Sequence, residues 1–476
     1  MAVTLNSRAD LTLQHYQRVA WGGEGVTLGQ PALQAMTKAR QAFEELIEKD
    51  DTVFVYGVTS GYGHMASKRL NREERKAQAK RPRGGAASSF GEPMPERVVR
   101  GMVFARLTNF LEGHAAITPV IGQAVAAMLD GGPLPEVPSL GNGCPGEIQA
   151  LGYLFRGVGN DADYAEKDSL SLINGSPCGS ALLADAALAG RRRGALAAEV
   201  FALSWEAFNA PLVHLDPALD SLWEDPYERE ALQGLRAWLD GVGEGNRRPY
   251  QAPVSWRILP RILGYALRAV AQAEEAAAIS LKAVSDNPIY VPPTPEHPLG
   301  RVFSTGGYHN GKAGPCLDNL AAAWADLALL ADRHTDKMMN ASISLLPAGL
   351  KGRGEGYLGS LAFASAGFTE QARLAAQRTF LPGMESGGYG QNDVPVPYFH
   401  SWRHDAEAGR AFVNTLALLA AISSQAFHAT DRQPPKKLAR FVEEIRAVFP
   451  PVDGPRVLGY DAEALAERFH ERVHQP

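Results

Sequence analysis

Residues 317–338 read LDNLAAAWADLALLADRHTDKM. Leu317, Leu320, Trp324, Leu327 and Ala331 recur at intervals of three and four, which puts them on one face of a 3.6-residue turn and predicts a helix with one buried stripe. The pattern returns at 407–427, EAGRAFVNTLALLAAISSQAF, through Phe412, Leu416, Leu419 and Ile422. A third long helix is predicted over 263–284, LGYALRAVAQAEEAAAISLKAV, whose small side chains let neighbouring helices approach closely. Long alanine-rich helices pack against one another or against partner subunits, so a mainly α protein is expected, with a central bundle through which it oligomerises.

Outside these stretches the chain changes character. Residues 1–185 mix short β-prone runs, such as TVFVYGV at 52–58, with glycine-rich loops, whereas alanine and leucine dominate 186–476, and the organisation is read as two regions meeting there. Glycine and proline cluster at 57–63, 84–95, 131–146, 292–315 and 382–398, the loops expected to build a site at one end of the bundle.

The composition narrows the function. The 476 residues are 45% hydrophobic and 21% charged with a net charge of −5, without the basic excess that nucleic-acid binding needs. Cys144, Cys178 and Cys316 are the only cysteines and form no C-x-x-C pair, so neither a disulfide framework nor a zinc site is expected, and a reducing cytoplasm fits. The first residues, MAVTLNSRADLTLQHYQRVAWGG, carry charges where a signal peptide needs an apolar core, and no uncharged apolar run of about 20 residues suggests a membrane span. The histidines lack metal-ligand spacing, and no Gly-Lys-Ser phosphate loop or dinucleotide fingerprint occurs, so no metal or nucleotide is expected.

Two loops invite chemistry. In VYGVTSGYGHMASKRL, residues 55–70, Tyr56 is followed by glycines at 57, 61 and 63; such a phenol either packs at a strand end or enters a pocket as an acid or base. In SLGNGCPGEIQAL, residues 139–151, Cys144 stands in a tight turn that feeds a helix, as a nucleophile or as a small buried thiol. Glu147 is read as a cap on the helix that follows it. His64 and His309 lie in glycine-rich loops, and Asp286 and Asn287 in VSDNPIY are expected to hold a turn through Asx hydrogen bonds.

Taken in order with GEPMPERVVRGM (91–102), LINGS (172–176), VSWRILPRILG (254–264), FSTGGYHNG (303–311) and GYGQNDV (388–394), these segments resemble the histidine, phenylalanine and tyrosine ammonia-lyases and related aminomutases across nearly the whole chain. The resemblance implies the mainly α ammonia-lyase (fumarase/aspartase-like) fold and a homotetramer whose sites draw loops from three subunits. It places the family's catalytic tyrosine on Tyr56, its Leu-x-Asn-Gly asparagine on Asn174 and its carboxylate-binding arginine on Arg257. Its Ser-Gly-Gly-Asn-Phe-His-Gly loop falls on 304 onward, with Tyr308 for phenylalanine and His309 kept. The polar residue of its last loop falls on Asn392, beside Gln391.

The departures from the family are chemical. Its electrophile, a methylidene-imidazolone ring, forms from an internal Ala-Ser-Gly that here reads Cys144, Pro145, Gly146. Proline has no hydroxyl to eliminate and no amide hydrogen, so the ring cannot form from it, and no cofactor is expected. A histidine of the family falls on Ala86, and a tyrosine on Val254. Tyr56, Asn174 and Arg257 nevertheless remain together. The sequence therefore points to a ring-independent enzyme that performs acid–base chemistry on an activated small carboxylate: elimination, conjugate addition, isomerisation or cyclisation, in a biosynthetic setting. A non-catalytic subunit that pairs with an active relative, and a conventional ammonia-lyase or aminomutase, are the other readings.

Overall fold

The periodic stretches become the long helices of the bundle. The computed structural model describes residues 2–475 apart from 51, 81, 82, 160–163, 246, 249, 353, 355 and 385–388. The helices that matter for the site are α1 (Glu96–Arg106), α2 (Ile148–Phe155), α3 (Asp168–Ile173), α4 (Pro177–Ala207), α5 (Leu259–Lys282), α6 (Ala313–Met339), α7 (Gly359–Ala375), α8 (Tyr398–Ala429) and α9 (Leu458–His474). α6 and α8 share the most extensive contact; α4 lies against α5 and α8, α7 spans α6 and α8, and α9 covers α8 and α4.

The expected stripes are the core. Leu317, Leu320, Trp324, Leu327 and Ala331 of α6 are all solvent-inaccessible, as are Phe412, Leu416, Leu419 and Ile422 of α8. Each buried leucine or phenylalanine contributes about 1.5–3 kcal/mol through the hydrophobic effect. Across this seam Trp324 Nε1 donates to Asp405 Oδ1 at 2.8 Å, which satisfies the indole N–H without water. α8 is long and apolar enough to cross a membrane by length and composition alone, but 89% of its most apolar window is buried inside the fold. Its apolar faces are core.

Two expectations need correction. TVFVYGV forms no strand: the Val55 amide donates to Thr59 Oγ1 at 2.7 Å and the Val58 amide to the Val55 carbonyl at 3.0 Å, so the segment turns back on itself. The division at 185/186 falls inside α4, and one hydrophobic core runs from Val3 to Val473. Hydrogen bonds tie the two sides together, the Tyr398 hydroxyl donating to Glu147 Oε1 at 2.6 Å and Thr108 Oγ1 to the Leu281 carbonyl at 2.6 Å. Strand structure among the described residues is confined to three two-stranded sheets.

Candidate active site

The Tyr56 loop is built as a rigid turn. Gln78 Nε2 donates to the carbonyls of Gly57 (2.8 Å) and Ser60 (3.0 Å), which fixes both arms. The Gly63 amide donates to the Tyr56 hydroxyl at 3.0 Å, and the Tyr56 and Tyr62 rings meet edge to face with centroids 6.3 Å apart. A Cβ added at Gly57 would come within 2.8 Å of Leu170, so the loop rests directly on α3.

α3 leads from that contact to Asn174. The Asn174 amide nitrogen bonds back to the Leu170 carbonyl at 3.0 Å, Nδ2 donates to the Asn287 carbonyl at 2.6 Å, and Oδ1 accepts from the Gly175 amide at 3.0 Å. Arg106, fully buried at the end of α1, donates to the Asn174 carbonyl. Asp286 accepts from the adjacent Asn287 amide at 2.9 Å, not from the amide two residues on as an Asx turn would, and it pairs with Lys167 at 2.5 Å, both side chains fully buried. Asn287 Oδ1 then accepts from the Thr305 amide at 2.8 Å, which anchors the loop that carries Tyr308 and His309.

Tyr308 lies over the 144–146 turn: a Cβ at Gly146, whose φ is +76°, would come within 3.3 Å of its ring. Cys144 is buried, with Sγ 3.4 Å from the Gly146 carbonyl, and burial pushes its thiol up to about 11. It is a neutral thiol near pH 7, so the nucleophile reading gives way to the packing one.

Glu147 does something the sequence did not suggest. It caps α4 instead of its own helix α2: Oε2 accepts from the Cys178 amide at 2.5 Å and Oε1 from the Gly179 amide at 2.7 Å. Oε1 also accepts from the Tyr398 hydroxyl at 2.6 Å, at the first residue of α8. Gly179 is required here, because a Cβ would approach the Tyr398 ring to 3.0 Å. Burial raises the Glu147 carboxyl to about 7, although all of these donors lower it.

The remaining expected residues are more dispersed. His309 sits edge-on to Tyr398 with ring centroids 6.3 Å apart; its Nε2 is buried without a partner, and burial lowers its pKa despite a hydrogen bond to the Pro395 carbonyl. Gln391 is exposed and Asn392 half-buried. Their segment touches both halves of the site, through Tyr389 against the His64 ring at 4.8 Å and the Val396 amide donating to the Cys144 carbonyl at 3.1 Å. Gly388, which opens that motif, lies outside the described residues.

Arg257 is not in this group. It stands before the first residue of α5, with Nε bonded to the Ala252 carbonyl at 3.1 Å, whereas the Asn174 turn meets Ser285 beyond the other end of that helix. The 24 residues of α5 separate them by about 36 Å. Within one chain, Arg257 and Tyr56 do not share a pocket.

The sequence model of the family described as "Aromatic amino acid lyase" matches residues 11–163 and 160–447. The chain belongs to that family. This lyase-family chain is 31% identical to a histidine ammonia-lyase of Deinococcus radiodurans over 379 residues, 72% of the chain and 70% of the relative. It is 27% identical to that of Symbiobacterium thermophilum over 97% of the chain and 96% of the relative. Among solved structures, the ergothioneine-degrading ergothionase of Treponema denticola, in complex with desmethyl-ergothioneine sulfonic acid, superposes with a TM-score of 0.89 at 18% identity, covering 100% of this chain and 99% of that one. The histidine ammonia-lyase of Trypanosoma cruzi does so with a TM-score of 0.83 at 20% identity, covering 100% and 96%. These structures show the same mainly α fold.

Proposed function

We propose that this lyase-family protein works without the methylidene-imidazolone ring, by acid–base elimination from a small amino-acid-derived carboxylate that brings its own leaving group. The observation that carries this reading is Pro145 in the serine position, while Tyr56 and Asn174 stay on touching elements. The residues present do not fit the ring: Pro145 has no hydroxyl to lose, and the Gly146 position is covered by Tyr308.

Without an electrophile, an ordinary amine leaves poorly. A quaternary ammonium departs as a neutral amine and needs no protonation. Ergothioneine, the trimethylammonium betaine of 2-thiohistidine named with the Treponema structure, is such a molecule, and histidine, in the name of the ammonia-lyase relatives, shares its imidazole skeleton. The tyrosines of these loops suit it as well, since aromatic rings such as those of Tyr56 and Tyr308 attract quaternary nitrogen. In this reading Tyr56 is the base that removes the β-proton, the C–H electron pair becomes the new double bond, and the C–N pair leaves with trimethylamine. Asn174 uses one of its two Nδ2 N–H groups on Asn287, which leaves the other for substrate. Arg257 from a second copy binds the carboxylate, within a soluble cytoplasmic homotetramer.

The test is to incubate the protein with ergothioneine, with N-trimethylhistidine and with histidine, following trimethylamine by NMR and the conjugated acrylate by absorbance. Release of trimethylamine from a betaine is expected, and Tyr56→Phe lowers that rate by about 10²–10⁴-fold while binding changes only a few-fold. The histidine ammonia-lyase relatives favour a second reading, conventional loss of ammonia from histidine. Mass spectrometry of the peptide 140–156 separates the two: an unmodified mass is expected, and loss of water there would defeat the ring-independent mechanism.

A further inference from the structure

A charged cavity of about 290 Å³ opens between α4, α8 and α9, with Arg97 of α1 at its edge. Arg193 of α4 lines it, is only 4% exposed, and has Nε and Nη1 without any hydrogen-bond partner. Its nearest carboxylate oxygen, on Asp405, is 3.9 Å away, too far for a hydrogen bond, and the other oxygen of Asp405 is engaged by Trp324. The other two guanidiniums on the cavity wall are occupied: Arg97 pairs with Asp185 at 2.8 Å and Arg410 with Glu467 at 3.1 Å.

The Arg193 guanidinium is also held in place. It lies 5.5 Å from the Trp324 ring and packs against Gly409, where a Cβ would sit 2.4 Å from its Cζ. The guanidinium is thus buried, fixed and paired only loosely, with Asp405 at 3.9 Å, and N–H donors left unmet in a buried place are costly. Two imidazoles complete the wall, His470 bonded through Nε2 to Asn414 Oδ1 at 2.9 Å, and His474 bonded through Nδ1 to the His470 carbonyl at 3.0 Å. Burial first, and then the neighbouring arginines, holds both down at about 4, so near pH 7 both line the wall as neutral imidazoles.

We propose that this cavity is a binding site for a small oxyanion, a carboxylate or a phosphate, seated on the Arg193 guanidinium. The volume equals about ten waters at roughly 30 Å³ each, room for such an ion and part of its hydration shell. The site is separate from the one that contains Tyr56: along α4, Asp185 and Arg193 lie about 10 and 22 Å beyond Cys178.

Isothermal titration of the full chain with inorganic phosphate, with succinate and with sodium chloride at matched ionic strength tests this. Saturable binding at one site per chain is expected for phosphate or succinate, and which of the two binds more tightly identifies the headgroup. Arg193→Gln weakens it at least tenfold, and Arg410→Gln, which alters a side chain that is 67% exposed, weakens it a few-fold. Should Arg193→Gln fail to fold, the His470 and His474 ring protons report on the native chain, and saturable NMR shifts with the same probe are expected. The proposal is overturned by absent saturation with both probes, by a response equal to that of chloride, by unchanged affinity in Arg193→Gln, or by unmoved imidazole resonances.

Discussion

Glu147 accepts three hydrogen bonds with 1% of its surface exposed, and burial still lifts its carboxyl from 4.5 to about 7. The folded protein therefore holds this proton more tightly than the unfolded chain does. Its contribution to stability is complete below pH 4.5 and is lost as pH rises through about 7, a change of about 3 kcal/mol. His334, buried against Trp256 and held down at about 3, acts in the opposite sense, losing stability as pH falls below 6.5. Comparing wild type with Glu147→Gln in urea at pH 5 and 7.5 isolates the carboxyl: the wild type is expected to lose more stability over that interval, and parallel curves refute it. Nothing local in the sequence reveals this role, because the partners of Glu147 are 31, 32 and 251 positions away. The Tyr56 and Asn174 loops stand out in the sequence through their motifs, whereas Cys144 stands between two readings because a glycine-rich turn looks alike whether its thiol is exposed or buried.

At the scale of elements, legibility followed periodicity. α6 keeps exposed positions among its buried ones and was read from spacing, whereas α4, and α8 from 411 to 427, are buried on nearly all sides, and a helix without a polar face gives periodicity less contrast to show. TVFVYGV has strand composition, but the Thr59 hydroxyl and Gln78 amide offer its backbone other partners, and these override propensity. The α6–α8 seam is expected to be the most sensitive element to truncation. Leu416→Ala removes a fully buried side chain, with an expected cost of about 2–5 kcal/mol in chemical denaturation; a loss below 1 kcal/mol would show that the seam repacks freely.

For the whole molecule, the separation of Arg257 from the Tyr56 loop makes an assembly-level prediction. In the tetramer and with the betaine proposed above, Tyr56→Phe and Arg257→Gln preparations are each expected to be inactive when made alone. Co-expressed, they form mixed assemblies in which some sites take an intact tyrosine from one chain and an intact arginine from another, so part of the activity returns. Equal inactivity of the mixed and unmixed preparations, with mixing verified by native mass spectrometry, refutes a shared site.

The Glu147 clamp has a mechanical consequence. It grips the second and third residues of one 31-residue rod and the first residue of a 32-residue one, the two longest helices described. Sliding either rod by a single residue moves it 1.5 Å along its axis, beyond what hydrogen bonds of this length tolerate. The turn at 144–147 is thus an indexing pin: it sets the phase in which the rods mesh, and with it the alignment of Arg193 opposite Gly409 several turns farther along.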